Sequence, residues 1–194
     1  HRRIGIAEGG DEIIGLQFRV AAVYQDALAD PASAVKAFLA VLEQDPRSAE
    51  ALDGLEHLYF KREQWKELFG VYEKIVDIAA GDSEMADCYA HMAKIASDAL
   101  GDRDRALELW GRVLDVRGED PVALTALADL YEAAERWADY SEVLQRQVAI
   151  SDQPEVQIAT YERLGRLYAE KLGRERDSID AYLNILSIDG ANLP

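Results

Sequence analysis

The sequence repeats itself, and the repeat keeps one register along almost the whole chain. When residue n is aligned with residues n+72 and n+144, similar residue types coincide throughout. Three such sets are Ile6, Ile78 and Ile150; Phe38, Trp110 and Tyr182; and Leu42, Leu114 and Leu186. Each unit of a repeat array contacts mainly its neighbours, so the array presents an extended surface instead of one central pocket. The repeat therefore narrows the class of protein before any single motif is considered.

Each 72-residue period, called here the double repeat, divides into two helix–turn–helix units of about 36 residues. Equivalent apolar residues of the first helices recur at spacings that alternate between 35 and 37 residues, and they are Val20, Leu55, Met92, Leu127 and Leu164. Apolar residues recur at helical spacing within each unit, and strand-like alternation is absent. Gly, Pro and Asp residues separate the helical segments, and Asp82-Ser83 and Asp120 are natural N-caps. The pattern predicts ten helices, at residues 11–29, 32–44, 47–61, 64–79, 83–100, 103–116, 121–134, 137–150, 155–172 and 175–188.

Particular residue types also recur at fixed positions of the unit. Leu164-Gly165-Arg166-Leu167-Tyr168 places Leu, Gly and Tyr at positions 7, 8 and 11 of a unit, and Asp45-Pro46 ends a unit in a loop. In these residues the chain resembles the tetratricopeptide repeat (TPR) family. The resemblance implies an all-α fold, a right-handed α-solenoid of five TPR-like units that form one superhelical domain over residues 1–194. The units are expected at residues 11–46, 47–81, 82–120, 121–153 and 154–190.

The chain departs from the family pattern at several positions. Glu56 occupies position 8, where the family has a small residue, and Leu68 and Tyr140 occupy position 20, where it has alanine. We therefore expect the paired helices to lie further apart at Leu68 and Tyr140. The first helices of the odd-numbered units carry about one extra residue before Gly101 or Gly173, which we interpret as helix ends.

The two ends of the sequence align with the middle of the repeat. We interpret Gly9-Gly10 as a helix end and residues 1–10 as the tail of a preceding repeat. Residues 189–194 align with the linker that leads into the next unit. Terminal repeats normally carry a polar capping face, and none is visible in the sequence. We expect a part of a longer array whose ends fray or self-associate.

Charge limits the classes of partner. The formal net charge is −16, which repels phosphate backbones and anionic membranes and favours a basic partner. No apolar run approaches the roughly 18 residues of a membrane-spanning helix. The N-terminal residues contain no signal-peptide hydrophobic segment, which slightly favours a cytoplasmic location.

The sequence predicts no catalytic site, metal or cofactor. Asp87 and His91 are spaced like metal ligands on one helix face, and Cys88 and His57 could lie nearby. We favour the alternative of a buried cysteine and solvated histidines, because such pairs are common on helices. Large aromatic residues at repeat positions are interpreted as core and not as a ligand site: Phe38, Trp65, Trp110, Trp137 and Tyr182.

The TPR resemblance implies a concave groove lined by first-helix side chains. On this chain the candidate groove residues are Phe18, Asp26, Glu50, Asp53, His57, Phe60, Lys61, Asp87, Lys94, Asp98, Asp129, Glu132, Glu162, Arg166 and Glu170. Acidic residues dominate this set. For its two aromatic residues, partial burial against a neighbouring helix is the alternative. The Lys and Asn clamp by which chaperone-binding TPRs hold a terminal carboxylate is absent.

These observations predict a non-enzymatic scaffold that binds a peptide or helix of a protein partner, with a basic segment and an apolar anchor near Phe60. The alternative from another class is a structural array that self-associates through its exposed repeat ends. RNA binding, as in related helical repeats, is disfavoured because such modules need a basic surface.

Overall fold

The structure is a computed structural model that describes the backbone of residues 2–190 and the side chains of residues 10–188 and 190. Within that range the chain forms ten α-helices and no strand. They are α1 (Arg2–Ala22), α2 (Pro31–Gln44), α3 (Ala49–Lys61), α4 (Trp65–Ile78), α5 (Asp82–Lys94), α6 (Arg103–Arg117), α7 (Pro121–Ala133), α8 (Trp137–Ile150), α9 (Pro154–Leu167) and α10 (Glu175–Asp189). The predicted all-α helical-repeat fold is confirmed.

Helices pack on their neighbours in sequence. The chain divides into two compact units, a first unit that ends at Gly101 and a second that begins at Asp102. In the first unit each of α1 to α4 packs on the helix that follows it, and in the second unit each of α6 to α9 does the same. Such nearest-neighbour packing is the expected result of a repeat. The single domain over residues 1–194 stays a prediction.

Aspartate side chains define several helix starts. Asp30, Asp102 and Asp120 each precede a helix and accept a hydrogen bond from a backbone N–H of its first turn, at 2.9–3.1 Å. These bonds satisfy amides that have no partner within the helix. The expectation for Asp82-Ser83 was wrong, because Asp82 is already the first residue of α5 and Gly81 is its N-cap.

The extra residue of the odd-numbered units is accommodated by a wider helical turn. After α1, α5 and α9 the helix continues as a five-residue π-helical segment, at Val23–Ala27, Ile95–Ala99 and Tyr168–Leu172. A π turn holds one more residue than an α turn. Gly101 and Gly173 follow with φ of 67° and 62°, so their prediction as helix ends is confirmed.

The helix end predicted at Gly9-Gly10 is wrong, because α1 runs without interruption from Arg2 to Ala22. Glycine in a helix interior costs only about 1 kcal/mol, which neighbouring helix-forming residues offset. The assignment of residues 1–10 to a preceding repeat stays a prediction.

The core follows the repeat, with exceptions at three of the aromatic residues predicted to be buried. Phe38 and Trp110 are buried, as predicted for aromatic residues at this repeat position. Tyr182, at the same position of α10, is 43% exposed, so the core prediction is wrong there. Trp65 and Trp137 are only half-buried, which leaves part of each ring accessible.

Candidate functional site

The first unit contains a pocket of about 660 Å³ between α3, α4 and α5. The first helices α3 and α5 contribute Asp53, His57 and His91, and the second helix α4 contributes Trp65 and Tyr72. All of these residues precede Gly101, so the pocket belongs to one compact unit. A volume of this size holds a ligand of several residues, such as part of a peptide.

A carboxylate and a tyrosine are joined by a hydrogen bond in this pocket. The Tyr72 hydroxyl donates to Glu56 Oε1 at 2.8 Å, and its ring lies 5.2 Å from the His91 ring, centroid to centroid. Burial, and next the hydrogen bond to Glu56, raise the pKa of Tyr72 well above its usual value. The hydroxyl therefore keeps its proton at physiological pH and remains a donor to the carboxylate.

Glu56 creates the polar character of the pocket. Other units have a small, fully buried residue at this repeat position, such as Ala21, Ala93 and Ala128. A half-buried carboxylate here needs partners, because desolvating a charge is costly. Tyr72 satisfies one of its oxygens.

Two aromatic rings form an apolar wall. Phe60 is 62% exposed. It contacts Trp65 edge to face, with the ring centroids 5.9 Å apart and the planes at 84°. The pocket thus offers a large apolar surface next to carboxylates.

Five of the predicted groove residues line this pocket: Asp53, His57, Phe60, Lys94 and Asp98. Five others in the first unit are not among its lining residues: Phe18, Asp26, Glu50, Lys61 and Asp87. Phe18 is half-buried and packs against Phe38, with the ring centroids 6.2 Å apart. The alternative of partial burial against a neighbouring helix therefore holds for Phe18. It does not hold for Phe60, which is exposed.

The predicted groove residues of the second unit are all exposed: Asp129, Glu132, Glu162, Arg166 and Glu170. Two of these acids lie against the chain's own arginines. Arg163 lies 3.4 Å from Glu132, and Arg166 lies 3.5 Å from Glu162. Exposed pairs of this kind contribute only about 0–1 kcal/mol each, but they reduce the local negative charge. The first unit is therefore the better place for a cationic ligand.

Sequence reasoning missed Glu56, Trp65, Tyr72 and His91 as pocket residues. One signal was present, since Glu56 breaks the small-residue rule of its position. Trp65 and Tyr72 carry no such signal, because a bulky residue is expected at their repeat positions.

Cys88 is buried. Burial, and next the carboxylates around it, raise the pKa of its thiol to about 11. In the range that the structure describes, no group of three or more His, Cys, Asp or Glu side chains has the arrangement of a metal site. None of the helices described above is long and apolar enough to cross a membrane.

Comparison with known proteins identifies the repeat. A family model described as tetratricopeptide repeat matches residues 16–151. No curated protein matches the sequence.

Solved structures resemble the chain at low sequence identity. The crystal structure of MamA superposes with a TM-score of 0.56 at 16% identity and covers 95% of this chain and 98% of MamA. YrrB, described as a TPR protein with an unusual peptide-binding site, has a TM-score of 0.54 at 15% identity, covering 91% of this chain and 86% of YrrB. PilF of Pseudomonas aeruginosa has a TM-score of 0.51 at 14% identity, covering 94% and 78%. At such identities the likeness concerns the fold alone.

Proposed function

This chain belongs to the tetratricopeptide repeat family, and we propose that it is a non-enzymatic scaffold that binds a basic peptide or helix of a protein partner. The observation that carries the proposal is the pocket of the first unit, where the Asp53 and Glu56 carboxylates lie beside the exposed Phe60 ring. YrrB is described as having a peptide-binding site, and a peptide is also the class of ligand proposed here.

Charge supports a basic ligand. The carboxylates of Asp53, Glu56 and Asp98 line the pocket together with one lysine, Lys94. The whole chain has a formal net charge of −16. Such a surface raises the rate of encounter with a positively charged segment, and this effect weakens as salt screens the charges.

The aromatic wall supplies the affinity that charge does not. Exposed ion pairs contribute about 0–1 kcal/mol each, whereas a large apolar side chain buried in a pocket dominates most interfaces. We expect such a side chain to pack on Phe60 and Trp65, whose rings contact each other edge to face. The ligand is thus expected to combine Lys or Arg with one large apolar residue.

Peptide selection tests this proposal. Random peptides displayed on phage are selected for binding to the wild-type chain. The selected phage are then bound to the double variant D53K/F60A, and the fraction retained is counted. We expect the enriched peptides to contain Lys or Arg next to a large apolar residue and to be lost on the double variant.

The matched control is E43K/F60A, which changes net charge equally but places the lysine on α2, outside the pocket. It should lose the apolar contribution and keep the preference for basic peptides. Enrichment of acidic or uncharged peptides, or equal retention by all three proteins, would contradict the proposal.

Self-association is a second candidate, and exposed faces of the outer helices favour it. Val20 of α1 is 43% exposed, whereas Met92, its equivalent in the next double repeat, is 2% exposed because α4 packs on α5. Leu186 of α10 is 55% exposed, whereas Leu114, its equivalent in the preceding double repeat, is 9% exposed where α6 packs on α7. The exposed faces of α1 and α10 thus carry apolar residues at positions that a neighbouring helix buries in the other double repeats.

Sedimentation velocity tests self-association. If a second copy covers these faces, the wild-type chain forms concentration-dependent oligomers and Leu186→Asp is monomeric. Val122→Asp, an equally polar change at another exposed apolar position, should still associate. A monomeric wild-type chain at high concentration would exclude this candidate.

A further inference from the structure

The pocket of the first unit has a counterpart at the equivalent positions of the next double repeat, where two cations of the chain itself lie on aromatic rings. The guanidinium carbon of Arg163 lies 5.3 Å from the centroid of the Tyr140 ring, and its Nε donates to the Tyr140 hydroxyl at 2.8 Å. The Lys171 ammonium lies 4.9 Å from the centroid of the Trp137 ring. The second unit thus satisfies its aromatic surface internally.

The first unit lacks both cations. The residues that correspond to Arg163 and Lys171 are His91 and Ala99, and both line the open pocket. Trp65 corresponds to Trp137, so the ring that binds Lys171 in the second unit is present without its lysine.

The carboxylates of the pocket lie at different repeat positions from those of the second unit. Glu56 and Asp53 correspond to Ala128 and Thr125, whereas Phe60 and His57 correspond to Glu132 and Asp129. The number of carboxylates is the same, so this place is more negative in the first unit because the equivalents of Arg163 and Lys171 are uncharged. Lys94 lines the pocket too, but it corresponds to Arg166, which lies against Glu162 and not on a ring. Lys94 is therefore not the counterpart of either ring-bound cation.

We propose that this pocket receives one cationic side chain of the partner, an arginine in preference to a lysine, which contacts the Trp65 ring and the Glu56 carboxylate. Tyr140, the ring on which Arg163 lies, corresponds to Leu68, so the partner would supply in the first unit what Lys171 supplies to Trp137 in the second. This inference rests on the proposed function and names the residue that the scaffold recognises.

Arginine suits this pocket better than lysine. Its planar guanidinium stacks on an aromatic ring and can at the same time donate two hydrogen bonds to a carboxylate. The methylene stem can lie along Phe60 and Ile95 at the pocket wall. At about 660 Å³ the pocket also has room for the residues on either side.

Nuclear magnetic resonance with small probes tests the inference. The probes are N-acetyl-arginine amide, N-acetyl-lysine amide and N-acetyl-citrulline amide, which is uncharged and has nearly the shape of arginine. The readout is the indole N–H signal of Trp65, assigned with W65F, and that of Trp137 as an internal reference. We expect a saturable shift of Trp65 with arginine, a weaker one with lysine and none with citrulline. Trp137 should not respond, because Lys171 already lies on its ring.

Two variants at the same repeat position give the matched comparison. Ala99→Lys supplies the lysine that the second unit has at residue 171, so it should weaken arginine binding at least about tenfold. Ala27→Lys adds the same charge at the equivalent exposed position of the π segment after α1, and arginine binding should stay unchanged. Glu56→Gln, which keeps an acceptor for Tyr72, should also weaken arginine binding.

The outcomes separate this inference from the proposed function. Equal shifts with citrulline, an equal response of Trp137, or unchanged binding by Ala99→Lys would overturn it. If selected basic peptides bind the wild-type chain and Ala99→Lys equally, the scaffold function stands and the pocket assignment is wrong. If basic peptides do not bind at all, both are wrong.

Discussion

Replacing Gly54 by alanine tests the packing that builds the repeat. Gly54 lies on α3 and faces Phe38 of the preceding helix α2. A Cβ atom at this position would lie 2.5 Å from Phe38 Cζ and 2.7 Å from both Cε atoms. Phe38 is only 8% exposed, and its ring packs edge-on against Phe18, so the ring has little room to move away.

Two opposing effects set the magnitude. Alanine is more favourable than glycine in a helix interior by about 1 kcal/mol, whereas overpacking a core costs about 1–3 kcal/mol. Gly54→Ala should therefore lower the free energy of unfolding by up to about 2 kcal/mol. Gly70 of α4 is the matched control, because a Cβ there meets nothing within 4 Å. Gly70→Ala should stabilise by about 0.5–1 kcal/mol.

Urea denaturation followed by circular dichroism measures both variants. The difference between them isolates the steric cost, and it should be about 1–3 kcal/mol. In a double-mutant cycle, the penalty of Gly54→Ala should shrink when Phe38 is replaced by leucine. Equal stabilisation by Gly54→Ala and Gly70→Ala would refute the close packing of α2 on α3.

Three further predictions concern stability. Gly101→Ala should lower the free energy of unfolding by about 1 kcal/mol in urea denaturation, because φ is 67° at this residue. Ala29→Gly, at a residue where φ is 48°, should change stability much less, because relief of backbone strain offsets the greater freedom of the unfolded chain. Tyr72→Phe should destabilise by about 1–3 kcal/mol in the same assay, because the half-buried Glu56 carboxylate loses its donor. Burial raises the pKa of the Cys88 thiol from its usual 9.0 to about 11. The thiol of the unfolded chain therefore ionises first, so the stability that the protonated thiol contributes is present below pH 9.0 and is lost as the pH rises to about 11. Cys88→Ala should flatten this fall in the free energy of unfolding, measured by denaturation at pH 8 to 11, and an unchanged slope would contradict the prediction.

The repeat pattern predicted the helices well because the same helical spacing of apolar residues recurs in every unit. It also predicted the helix ends at Gly101 and Gly173, since glycine readily takes a positive φ. Glu63 and Glu135 take the same backbone conformation, with φ of 54° at equivalent turns. No residue type signals a turn at these glutamates. Each turn is closed by a backbone hydrogen bond of 2.9 Å, from the N–H of Gln64 to the Tyr59 carbonyl and from the N–H of Arg136 to the Tyr131 carbonyl.

The site was predicted less completely than the fold. Family positions point to first-helix residues such as Asp53 and Phe60, and these line the pocket. They do not point to the second-helix residue Trp65, because whether a ring is accessible depends on its neighbours. Ala99 leaves the Trp65 side of the pocket open, whereas Lys171 lies on the equivalent ring of Trp137. That difference appears only when side chains from three helices are placed together.

Binding kinetics of a selected basic peptide test the central claim most directly. Association and dissociation rates are measured for the wild-type chain, Asp53→Lys, Asp129→Lys and Phe60→Ala at salt concentrations of about 50 and 200 mM. We expect the association rate to fall as salt rises, and to fall more in Asp53→Lys, which is inside the pocket, than in Asp129→Lys of the second unit. Phe60→Ala should mainly speed dissociation. An association rate that is independent of salt and unchanged in Asp53→Lys would contradict the account and leave the acidity as a solubility feature.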